Sequence, residues 1–97
     1  MINIEESFEK FSGSDYLKFD RVENKISKRP DLCAMLYLEN LVEGKQRDMI
    51  SAARHHEVWL DVDCDKLSEV ATEADILYLT RCGVRYLPES ESLAFFV

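Results

Sequence analysis

Asp61, Asp63 and Asp65 stand at alternate positions after an apolar, β-branched segment. If an extended strand ran through all three, its period of two would aim the carboxylates the same way. Oxygen clusters of that kind suit hard divalent cations such as Mg2+ or Ca2+. Against a calcium-binding loop starting at Asp61, however, the sixth position is Lys66 where glycine is needed, and the twelfth is Thr72 where a bidentate Glu belongs. A strand ending in Asp-x-Asp also suits metal-dependent phosphoryl transfer, but that chemistry needs a larger α/β scaffold than this pattern supplies. The simpler expectation is that the strand ends early and Asp63 or Asp65 caps the helix that follows.

Other reactive side chains are less well placed. His55 and His56 are adjacent, so on an extended segment they point to opposite faces and share no metal. Cys64 stands near an expected helix start, where thiol pKa values fall. Its neighbours Asp63 and Asp65 oppose thiolate formation. Cys33 and Cys82 fall in apolar helical patterns and read as small core residues. The three glycines, at 13, 44 and 83, stand alone, which excludes a phosphate-cradling loop. No nucleophile–base pair occurs in a recognised context, so an interaction role is favoured over an enzymatic one. No cofactor is implied.

Lys25, Lys28 and Arg29, with Lys45, Arg47 and Arg54, are interspersed with acids and read as a mixed solvated surface. Tyr16, Tyr37, Trp59 and Tyr86 do not form a series suited to stacking bases. Nucleic-acid binding is therefore not expected.

The elements that position these residues follow from periodicity. Phe8 and Phe11 suit a short helical segment ending at Ser12-Gly13-Ser14. Phe19, Val22 and Ile26 predict a helix from Asp15 to about Ser27. Pro30 separates it from a second helix and suits the first position of that helix. The run Leu32–Leu38, continued by Leu41 and Val42, is apolar on nearly every side and predicts a central core helix capped at Gly44. Met49, Ile50 and Ala53 allow a short helix within 45–56.

Glu57–Val62 is the clearest strand, with Val58, Leu60 and Val62 on one face. A short helix carrying Leu67, Val70 and Ala71 follows, then Thr72-Glu73-Ala74-Asp75 opens another in the form of a capping box, closed by Gly83. Val84–Leu87 and Leu93–Val97 flank polar turn chemistry and predict a hairpin whose last strand lies inside the sheet. The expected architecture is α+β: N-terminal helices, then a β-α-α-β-β unit, with a small three-stranded sheet and helices packed on one face.

Ninety-seven residues suit one domain, and an apolar fraction of 46% beside 32% charged residues supports both a core and a solvated surface. No segment reaches the length of a membrane span, and the acidic N-terminus lacks the marks of a secretion signal. Three widely spaced cysteines do not make a disulfide framework, so a cytoplasmic setting is expected.

The net charge of −7 is uneven. Residues 1–54 carry nine basic and ten acidic side chains; residues 55–97 carry three and nine. Segment 57–75 holds seven acids and one base, Lys66. The leading expectation is a small acidic protein-binding module, regulatory, adaptor or inhibitor-type, that meets a basic partner through Glu57, Asp61, Asp63, Asp65 and Glu69. Immunity proteins, antitoxin-like inhibitors and phage or bacterial accessory proteins all suit this size and charge. Two alternatives are a divalent-metal-binding domain or metal-dependent enzyme centred on Asp61, Asp63 and Asp65, and a self-assembling subunit whose Phe95-Phe96-Val97 completes a sheet across a homodimer axis.

Overall fold

The capping residues mark where the helices begin. A computed structural model describes residues 1–42 and 48–96. Asn3 starts α1 (Ile4–Ser12), its side chain accepting from the Glu6 N–H at 2.9 Å. Pro30 opens α2 (Pro30–Leu41) from an extended Arg29. Asp63 starts α3 (Cys64–Val70), and Thr72 starts α4 (Glu73–Arg81) with the full reciprocal capping box to Asp75. These caps satisfy N–H groups that the helix ladder leaves orphaned.

Four strands complete the α+β fold: β1 (Ile50–Arg54), β2 (Glu57–Leu60), β3 (Arg85–Leu87) and β4 (Ser92–Phe96). They form one antiparallel sheet in the order β1-β2-β4-β3. The last strand therefore lies between β2 and β3, inside the sheet as the sequence predicts. Residues 92–94 supply its pairing with β3, while Phe95 and Phe96 pair with Val58 and Glu57 of β2.

Four corrections follow from long-range pairing and backbone conformation. The sheet has four strands, not three, so the unit is β-β-α-α-β-β. Within 45–56, residues 50–54 form β1 rather than a helix, because β1 pairs with β2 across the two-residue turn His55-His56. The start of that expected helix, and the expected cap at Gly44, lie outside the described residues. The helix expected over 15–27 is reduced to one 3-10 turn at Phe19–Arg21, since left-handed backbone at Leu17 (φ 57°) and Asn24 (φ 55°) interrupts it. Finally, α2 is not a central helix. It buries Cys33, Ala34 and Leu38 but leaves Leu32 and Leu36 exposed, and it leans on α4 through the stacked rings of Tyr37 and Tyr78, 3.9 Å apart.

One core joins the layers. Val58 pairs with Phe95 and Leu60 with Leu93, so these four share a sheet face by the two-residue alternation. They pack in one cluster with Leu67 of α3, Ile76 and Leu79 of α4, and Phe8 of α1. Each fully buried aliphatic side chain contributes about 1.5–3 kcal/mol. The opposite face carries Glu57, Trp59, Ala94, Phe96 and Arg85. Gly83 takes φ +97° between α4 and β3, a backbone conformation that strains any L side chain, so glycine is favoured there. Among the described residues, no helix is long and apolar enough to cross a membrane.

Candidate functional site

The strand that would align the three aspartates stops at Leu60. Asp61 follows it, donating its backbone N–H to the Met49 carbonyl. Asp63 turns away to cap α3: its Oδ1 accepts from the N–H groups of Asp65 and Lys66 at 3.0 and 3.2 Å. Its carboxylate is therefore engaged in holding the helix start. Among the described residues, no group of three or more His, Cys, Asp or Glu side chains is placed to hold a metal ion.

Glu57 lies at the far end of β2 from Asp61. Its carboxylate meets Arg85 at 3.2 Å with its side chain 16% exposed, so its charge is already matched. Arg85 also lies over the Phe96 ring, 4.3 Å from the centroid. Glu69 is exposed on α3. The five sequence-selected acids thus do not form one patch. Glu57 belongs to the outer sheet face, while Asp63, Asp65 and Glu69 cluster on and beside α3.

The structure instead gives Asp65 two acidic neighbours that the sequence reading missed. Glu5 from α1 and Glu91 from the β3–β4 turn join it around a hollow of about 270 Å³ that also includes Cys64, Ser68 and Tyr86. The N-terminal segment is fixed here by a reciprocal pair: Ile2 N–H donates to the Ser68 carbonyl, and Ser68 Oγ donates to the Ile2 carbonyl. Burial, then the carboxylates of Asp63, Asp65 and Glu91, push the Cys64 thiol up to about 11. Burial is also the leading cause of the upward shift at Tyr86, with Cys64, Glu91, Glu5 and Asp65 contributing. Both groups stay protonated at neutral pH, so this site offers negative charge and not a thiolate nucleophile.

Adjoining that hollow, and sharing Glu5 and Tyr86 with it, is a larger cleft of about 540 Å³ between α1 and β3. Glu5, Phe8, Glu9 and Ser12 line one side, spaced as a single stripe of α1. Val84, Arg85 and Tyr86 line the other. The Phe8 and Tyr86 rings stack at 6.3 Å across the junction. Tyr16 lies at the cleft with its hydroxyl enclosed and without a hydrogen-bond partner. Burial is the main cause of its raised pKa, so that hydroxyl keeps its proton.

The other two cysteines lie in the core. Cys33 and Cys82 are buried, and the Cys33 sulfur lies 3.0 Å from the Tyr78 hydroxyl. Burial, then the neighbouring Cys33, pushes the Cys82 thiol up to about 12. No protein-family model, curated protein or solved structure matches this chain.

Proposed function

We propose that this chain is a small acidic interaction module that docks a basic protein partner through the end of the molecule formed by α3, the start of α1 and the β3–β4 turn. The observation that carries this reading is the gathering of Glu5, Asp65 and Glu91 around one hollow from three separate elements. Glu69 extends the same charge along α3. Like charges brought together repel one another and destabilise the free protein, a cost offset when a cationic surface covers them. The net charge of −7 would steer such a partner toward the molecule before contact.

Asp65, Glu69 and Glu91 are the residues to change, because Asp63 holds a helix start and Glu57 is already paired. Capture of partners from a native lysate with the tagged protein, eluted in steps of salt, should release a stoichiometric basic protein at moderate ionic strength. Reversal of all three charges to Lys should abolish that capture and slow association of the purified pair at least tenfold. An association rate that does not change in the triple variant would refute the reading.

A further inference from the structure

The cleft between α1 and β3 has a feature that the acidic end alone does not explain: one of its walls is the open edge of a β-sheet. β3 is the terminal strand of the order β1-β2-β4-β3 and is paired on one side only. In an antiparallel pair every second residue directs its N–H and C=O to the opposite edge. Among the described residues, no backbone or side-chain group outside the sheet hydrogen-bonds to the backbone of Arg85 or Tyr86. An unpaired strand edge of this kind, here three residues long, can serve as a template for another extended chain.

We infer that this cleft takes an extended basic peptide segment, which adds a fifth strand beside β3 and runs alongside α1. The inference deepens the reading of a basic partner and rests on it. Strand addition obtains affinity from main-chain hydrogen bonds and selectivity from pockets for alternate side chains. Both kinds of feature are present. Glu5 and Glu9 stand on the α1 wall, and neither has an ion-pair partner among the described residues. Arg85, the one cation lining the cleft, is matched by Glu57. The charge left to be answered is therefore negative.

Lys or Arg at alternate peptide positions would lay its aliphatic stem along Phe8 and Tyr86 and place its charge at Glu5 or Glu9. The intervening side chains would point toward Phe96, more than half exposed at the same cleft, and are expected to be apolar. A volume of about 540 Å³ is in the range of sites that enclose small ligands, so it accommodates a few residues rather than a whole domain. Tyr16 adds an unsatisfied donor, and buried hydroxyls in native proteins find partners. A peptide carbonyl entering beside it, with a small turn of the ring, would supply one.

The test uses a blocked hexapeptide of alternating Lys and Val, together with two versions N-methylated at the backbone nitrogens of the Lys or of the Val residues. The full chain is titrated by NMR, with amide hydrogen exchange followed at residues 85–87. Binding should slow exchange of an outward β3 amide. One N-methylated peptide should bind at least tenfold more weakly and the other nearly as well as the parent, because only alternate residues face the strand. The exposed-site variant Glu5→Gln/Glu9→Gln should weaken the parent peptide at least tenfold. Tyr16→Phe should fold normally and bind more weakly.

Equal binding of all three peptides with no protection at β3 would overturn strand addition while leaving basic docking at the acidic end intact. No binding of any peptide at millimolar concentration would overturn it as well. Failure of the lysate capture, by contrast, removes the broader reading.

Discussion

At the scale of single residues, Asp63 shows how a side chain can look reactive and be structural. Its carboxylate accepts two backbone N–H groups at the start of α3, and a carboxylate there also complements the helix dipole. Replacement by Ala should lower stability by about 0.5–2 kcal/mol, whereas Asn, an equally good cap, should leave it nearly unchanged. Urea denaturation of the two variants distinguishes the roles, since equal losses would mean that charge and not capping matters. The sequence made this legible because a cap is set by residues within three positions. Glu5 and Glu91 were not legible as partners of Asp65. They lie near opposite ends of the sequence, and only the packing of α1 and the β3–β4 turn against α3 brings them together. The pairing of Glu57 with Arg85 was hidden for the same reason, because β2 and β3 meet only across β4.

At the scale of elements, local rules succeeded wherever local chemistry decides. The Thr72–Asp75 capping box, Pro30 at the start of α2 and the hairpin of β3 and β4 all follow from neighbours in sequence. β1 escaped notice because its turn lacks the Asn-Gly or Asp-Gly usual in two-residue hairpins. His55 (φ 52°) and His56 (φ 65°) both adopt left-handed backbone, the conformation of a type I′ turn. Histidine tolerates that region better than most residues, yet less well than Asn or Gly. The double variant His55→Asn/His56→Gly should stabilise the molecule by about 1 kcal/mol, raising Tm by about 4–8 °C in a domain of this size. A lower Tm in a thermal melt would show that the imidazoles make contacts that outweigh the strain. The apolar run in α2 misled in another way, since hydrophobicity around a helix does not say which faces find partners. Leu32 (42% exposed) and Leu36 (38%) stay outside the buried core of the described chain.

At the scale of the whole molecule, the shifted titrations share one sign with a single exception, Cys33, whose burial is outweighed by hydrogen bonds from the Tyr78 hydroxyl and the backbone that lower it. Cys64 and Cys82 are raised to about 11 and about 12, and Tyr16, Tyr37, Tyr78 and Tyr86 are raised above their usual range, with burial the leading cause in each case. A raised acid is held neutral in the folded state, so its stabilisation is complete below the unfolded pKa, about 8.5 for Cys and 10 for Tyr. Above those values the unfolded chain releases protons that the folded chain retains, and stability falls with rising pH. The midpoint of urea unfolding should thus hold steady between pH 7 and 8 and drop progressively from about pH 9 to 12. A flat midpoint over that window would mean that these groups titrate alike in both states. Six side chains spread over α2, α3, α4, β3 and the loops make this a property of the molecule and not of one site.

The order of the sheet also bears on how the chain is made. β4 occupies the middle position beside β2, yet it emerges from the ribosome after β1, β2 and β3. Until residues 92–96 are synthesised, β2 has one bare edge, β3 has no strand to pair with, and Val58 and Leu60 lack their facing residues Phe95 and Leu93. Until β4 leaves the ribosome and enters the sheet, the chain presents an apolar strand edge that the finished protein conceals, so the sheet closes only with the last-made strand.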